Sequence, residues 1–280
     1  MKQIAKNNNK PLTKQEKEFK AKEQKNKNQK NEKSYSVNSN EVTEVNVLAV
    51  LVEYSDYQHG QITDEETDMY YENYEKQHYD QQSGGTLKIN GKVTDWHAAP
   101  NTAKYYGEQV GNNTDARPRN LVADALKAMA KDPNVNLSEF DKIDRYDLDT
   151  DGNYNESDGM IDYLMVIHAG VGQEAGGGSL GEDAIWSHRS NLGGLYEIPG
   201  TNYTDENGET RAYYAYDYTI NPEDGAAGVF SHEFGHDLGM PDEYDTQYTS
   251  AYSEPISNWS IMSSGSGAGK IPGTEPTVDN

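Results

Sequence analysis

Apolar residues in this chain come in short bursts separated by long polar stretches, and the bursts carry two different periods. Val45-Asn46-Val47-Leu48-Ala49-Val50-Leu51-Val52 is nearly continuous apolar sequence, which predicts a central strand buried on both faces. Residues 161–169 form a second such run, a shorter one covers 184–188, and 213–220 alternates well enough for a further strand. Helical spacing is clearest over 118–131, where Leu121, Val122, Ala125, Leu126 and Met129 recur three and four apart and predict an amphipathic helix lying on the sheet. A helix is also predicted over 64–81. It opens on acidic residues suited to a positive helix end and stops at Ser83-Gly84-Gly85. Leu87 to Ile89, then Asn90-Gly91, then Lys92 to Thr94 reads as a β-hairpin, since both turn residues tolerate positive φ. Residues 170–181 are rich in glycine and are expected to form a mobile loop. A last helix is predicted from about Ala226. Strands interleaved with two or three helices indicate an α/β domain, and the sequence carries no internal repeat.

Composition divides the chain. Up to Asn40 there are 11 Lys and 4 Glu with almost nothing to bury, a net charge of +7 inside a protein whose total is -23. Residues 1–43 are therefore expected to be a basic, disordered pro-segment or linker remnant, with a folded domain from residue 44 onward. The remainder carries -30 and would repel phosphate, which argues against a nucleic-acid partner. With 21 Tyr against 4 Phe and 3 Trp, aromatic burial has to rest on side chains whose hydroxyl needs a partner. The absence of cysteine excludes disulfides, thiolate metal sites and cysteine catalysis. No segment approaches the roughly 20 apolar residues that span a bilayer, and Met1 to Lys10 has a charged start with no apolar stretch behind it.

The chemistry concentrates in Val229-Phe230-Ser231-His232-Glu233-Phe234-Gly235-His236-Asp237-Leu238-Gly239-Met240-Pro241-Asp242, an H-E-x-x-H followed by x-x-G-x-x-D. Residues four apart share a helix face, so His232 and His236 can present ring nitrogens to one zinc ion. Glu233 is offset by about 100° from His232, beside the metal, where a general base takes a proton from zinc-bound water. A third protein ligand is required. Gly239 can turn the chain in the left-handed conformation, which brings Asp242 back under the metal, with Glu243 as the competing ligand. The other histidines, His59, His78, His97, His168 and His188, have no such partners and read as structural, although His188 can line a cleft.

These residues resemble the immune inhibitor A group of secreted bacterial metalloproteases, relatives of the metzincins. The resemblance rests on the stretch 232–245, on Asn258-Trp259-Ser260-Ile261-Met262-Ser263-Ser264-Gly265-Ser266, on the Gly-rich stretch 166–178 and on Asp183-Ala184-Ile185-Trp186-Ser187-His188-Arg189, and it covers nearly all of residues 44–275. It implies a zincin-type fold: a twisted, mostly parallel sheet with a backing helix and an active-site helix above a short irregular lower subdomain. It also implies secretion, and a role for Met262 as the packing methionine of a turn beneath the zinc.

A second metal is suggested by Asp147-x-Asp149-x-Asp151-Gly152-x-x-Asn155-x-x-Asp158, which has oxygen donors at EF-hand spacing, with Asn153 placed to give a backbone carbonyl to calcium. Its expected role is structural. Asp205-x-Asn207-Gly208 is too short a match and reads as a hairpin turn.

The function expected from these features is zinc-dependent hydrolysis of peptide bonds in protein or peptide substrates. An extended substrate is expected to add to a sheet edge near 166–174. The competing expectation is a non-catalytic, calcium- and zinc-stabilised binding module. It draws on a chain that stops 18 residues past Met262 and on Gly267, which stands where the family resemblance implies an aromatic residue.

Overall fold

The computed structural model describes residues 42–60, 76–111, 115–205, 207–246, 256–270 and 276. The basic segment before Val42, and the stretch 64–75 of the helix expected over 64–81, lie outside them.

The chain order is β1 (Thr43–Glu53), α1 (Lys76–Gln82), β2 (Leu87–Val93), β3 (His97–Ala98), α2 (Ala103–Gly107), α3 (Pro118–Met129), β4 (Tyr163–His168), β5 (His188–Glu197), β6 (Tyr203–Thr204), β7 (Thr210–Arg211), β8 (Tyr214–Pro222) and α4 (Ala227–Asp237). The main sheet runs β2-β1-β4-β8-β5, with β3 continuing the β2 side of β1. All its pairings are parallel except that of β5 with β8. The mixed α/β fold with a mostly parallel sheet is thus as the sequence leads one to expect.

The continuous apolar run of β1 is explained by its place between β2 and β4 with both faces covered. Leu48, Val50 and Val52 pack with Leu121, Val122, Leu126 and Met129 of α3 on one face. Val47, Ala49 and Leu51 pack with Phe230 and Phe234 of α4 on the other. α3 buries the five residues its spacing singled out, and Pro118 at its first position supplies the fixed φ that a helix start favours. α1 ends at Gly84 and Gly85, both at positive φ, as read from the sequence. Between the two short antiparallel strands β6 and β7, Gly208 N donates to Asp205 O.

Three expectations are corrected. Residues 87–94 are not a hairpin: β2 runs straight through Asn90-Gly91, pairing in parallel with β1 from Thr43↔Leu87 to Ala49↔Val93. Neither Asn90 nor Gly91 has positive φ. A seven-residue ladder along a buried strand outweighs a local turn preference, and the Asn90 amide is used instead to reach the Glu44 carboxylate at 3.3 Å. The strand expected over 184–188 begins only at His188 and continues to Glu197. The backbone of 184–187 bonds elsewhere: Ile185 O accepts from Gln173 N, Trp186 N donates to Asp115 and Ser187 N to Glu174. The segment 166–174 is no sheet edge, because β4 lies between β1 and β8; the free edge next to β8 is β5.

The glycine-rich loop after β4 is also better anchored than its composition suggests. Gly170 N donates to Glu223, Gly172 N to Asp224, and the Glu174 carboxylate takes both the backbone and the hydroxyl of Ser187. These bonds tie the loop to the ends of β8 and β5.

Candidate metal centre

α4 lays Phe230 and Phe234 against the sheet and turns His232 and His236 toward a cleft of about 830 Å³. The cleft is bounded by the start of β5, by α4 and by Ser263, Ser264 and Ser266 of the segment after Met262.

The end of α4 is built to return the chain to the face that carries His232 and His236. Gly239 has φ +98°, Gly239 N donates to His236 O and Met240 N to Gly235 O, the paired bonds of a Schellman cap. This reversal brings Asp242 back beneath the helix. Its Oδ1 lies 3.5 Å from His232 Nε2 and 3.2 Å from His236 Nε2. Glu243, the competitor for that place, is exposed, and its backbone N–H is taken by Met262 O.

Each imidazole is fixed from behind. His232 Nδ1 lies 2.8 Å from Ile261 O, and His236 Nδ1 lies 2.8 Å from Met240 O. A carbonyl only accepts, so Nδ1 carries a proton in both rings and the neutral tautomer leaves Nε2 as a lone pair. Two lone pairs then face a buried carboxylate oxygen to which no donor is directed, an arrangement that requires positive charge in the gap. Without a metal, that charge comes from protons. Burial disfavours the charged rings, yet Asp242, Glu233 and the carbonyls of Ile261 and Met240 together outweigh it, and both histidines sit above their ordinary value. Burial likewise opposes ionisation of Asp242, but the two imidazoles and the Tyr244 hydroxyl hold its carboxyl well below the usual range.

Glu233 is buried beside this group, and burial pushes its carboxyl up to about 7. One oxygen of Glu233 and one nitrogen each of His232 and His236 lie within 4.8 Å of one another.

The residues after the helix close the site from below. Ile261 supplies the carbonyl for His232, and Met262 is buried against the helix. The close approach explains two glycines of α4. A Cβ at Gly235 would stand 2.7 Å from Met262 Sδ, and one at Gly228 would land inside the Ser266 carbonyl.

Comparison with known proteins fits this geometry. The model of the immune inhibitor A peptidase M6 catalytic domain matches residues 32–81 and 76–279. The chain belongs to the immune inhibitor A peptidase family. Among the family's curated members, "Pre-pro-metalloprotease PrtV" of Vibrio cholerae serotype O1, strain M66-2, is 46% identical over 260 residues, covering 83% of this chain and 28% of that protein. "Immune inhibitor A" of Bacillus thuringiensis subsp. alesti is 46% identical over 275 residues, covering 85% of this chain and 39% of that protein. The chain therefore spans well under half the length of these relatives.

Outside the cleft, the acidic loop brings carboxylate oxygens of Asp147, Asp149 and Asp151 within 4.8 Å of one another, and a second group of the same kind joins Asp144, Asp149 and Glu156. Asp158 is in neither group; its Oδ1 accepts from Met160 N, and burial pushes its carboxyl up to about 9. The Asn153 side chain accepts from Asn155 N and donates to Glu156.

Sequence spacing missed Asp144 and Glu156, and it missed four charged residues, of which Arg145, Arg189 and Asp237 line the cleft and Asp217 lies behind it. Arg145 donates to the carbonyls of Asp162 and Asp237, and Arg189 bridges the carboxylates of Asp237 and Asp217. No local pattern announces such a network. His188 does line the cleft, with Nδ1 2.7 Å from Trp186 O and Nε2 3.2 Å from Tyr218 OH.

Gly228→Ala is expected to push the 264–267 turn off α4 and to destabilise the fold by about 1–3 kcal/mol, the usual cost of overpacking. Thermal melting tests this. An unchanged midpoint would mean that the helix and the turn do not need this contact.

Proposed function

We propose that residues 44–280 form a zincin-type catalytic domain that hydrolyses peptide bonds of protein or peptide substrates, acting outside the bacterial cell. One observation carries the reading: two imidazole Nε2 atoms, each backed by a carbonyl, and a buried Asp242 oxygen converge at 3.5 Å or less on the floor of a cleft.

The donor set suits zinc, which takes nitrogen and carboxylate ligands at a tetrahedral centre and keeps one position open when catalytic. His232, His236 and Asp242 would hold the ion. When bound, it would polarise the scissile carbonyl and make the attacking water more acidic.

The rest of the work falls to the protein. An extended peptide pairs along the free edge of β5, where Ser190 and Asn191 line the cleft, so that its scissile bond crosses above α4. Glu233 takes the proton from the attacking water and later delivers it to the departing amine. Its burial suits both halves of that task, because burial raises the affinity of the carboxyl for the proton that it takes and later gives up. Glu174, tied to Ser187 and also lining the cleft, raises the Glu233 carboxyl further by charge repulsion.

For the acidic loop we propose a structural calcium ion on oxygens of the 147–158 segment, with Asp144 and Glu156 as additional donors. The crowding of carboxylates favours a hard divalent cation. The loop is continuous with Arg145 and Tyr146, so order in it is transmitted to the floor of the cleft.

Glu233→Ala is expected to retain bound zinc and to lose casein cleavage by at least about a hundredfold, the scale of a general base. Asp242→Ala is expected to lower zinc content, measured by elemental analysis. Retained cleavage in the first variant, or full zinc in the second, would contradict the assigned roles. Calcium should raise the melting temperature of the unaltered protein and have no such effect on Asp149→Ala, since Asp149 belongs to both carboxylate groups; an equal rise in both would exclude this loop as the site.

A further inference from the structure

Arg189 opens β5 next to His188 and lines the cleft, yet two of its three guanidinium nitrogens are committed behind it. Nε donates to Asp237 Oδ1 at 3.1 Å, and Nη2 pairs with Asp217 Oδ2 at 2.7 Å. Both carboxylates are nearly inaccessible, with side chains 2% and 7% exposed, whereas the Arg189 side chain is 28% exposed. Asp217 is held in turn by the Tyr146 hydroxyl, and Asp237 sits on α4 directly after His236. In a planar guanidinium, Nε and Nη2 share one edge and Nη1 lies on the other side. Nη1 has no bonding partner among the described residues and is not among their buried unpaired atoms.

We infer that Arg189 is a substrate-anchoring residue whose Nη1 donates to a main-chain carbonyl of the peptide bound along β5, away from the scissile bond. The inference rests on the peptidase reading of the site. The neighbouring charge favours a neutral acceptor. Arg145 and Arg189 are balanced by Asp217 and Asp237, so the guanidinium offers a directed N–H with little net field for an anionic side chain. Two carboxylates already hold the plane, so the donor is aimed before substrate arrives and ordering it costs little on binding. Such an anchor fixes register along the cleft without selecting a side chain.

The test uses a fluorogenic peptide cut by the zinc-loaded protein, with each non-scissile carbonyl replaced in turn by a thioamide, a poorer acceptor. In the unaltered enzyme one replacement should lower kcat/KM about tenfold, the scale of a hydrogen bond to a charged group. In Arg189→Met and Arg189→Lys that same replacement should have no further effect while zinc content stays full, as a double-mutant cycle requires. If Arg189→Met does not fold, Arg189→Lys keeps a positive charge between the two carboxylates and completes the cycle. A scan of the unaltered enzyme in which no carbonyl stands out, or equal losses in enzyme and variants, would overturn the anchor and leave the peptidase reading intact. Zinc-loaded protein that does not cut the parent peptide would overturn both.

Discussion

The structure depends on an electrostatic demand at the end of one helix. His232 and His236 each use Nδ1 to grip a backbone carbonyl, and so turn two Nε2 atoms toward the Asp242 carboxylate. Lone pairs and an anion do not share a buried space unless a cation lies between them. Much of the surrounding architecture serves to hold that conflict in place. Gly239 reverses the chain, Met240 and Ile261 supply the two carbonyls, and Gly235 and Gly228 let the lower turn press against the helix.

The same helix is restrained from the sheet side by charge as well as by apolar packing. Phe230 and Phe234 seat it on β1 and β4, while Asp237 at its end is reached by Arg189 from β5 and its carbonyl by Arg145 from the acidic loop. Guanidinium donors at a helix C-terminus meet the negative end of its dipole and carbonyls left without a partner. The histidine-bearing helix, the edge strand and the acidic loop are thus joined through a few buried ionic contacts. Their geometry is mutually dependent.

What could be read from the sequence follows from how local each feature is. The His-Glu-x-x-His pattern and its returning aspartate are legible because an i, i+4 pair and a left-handed glycine act within a single helix and its cap. The α3 face and the buried run of β1 are legible for the same reason, since their periods report which sides are covered. Asn90-Gly91 misled because its turn preference is real but weaker than a parallel ladder to β1, whose partners lie 44 residues earlier, from Thr43↔Leu87 to Ala49↔Val93. The extent of β5 was hidden by its polar, glycine-bearing sequence, which suits an edge strand with an irregular pairing between Asn191 and Tyr196. Asp144, Glu156 and Arg189 gain their roles only from residues distant in the chain or from a loop path that no fixed spacing encodes.

The central claim concerns what fills the space between the two imidazoles and Asp242. X-ray absorption at the zinc edge, on protein loaded with one equivalent of zinc, reads that first shell directly. The account predicts low-coordinate nitrogen and oxygen ligands at about 2.0–2.2 Å with the multiple-scattering pattern of two imidazoles. An all-oxygen octahedral shell, or zinc that is lost on desalting, would contradict it.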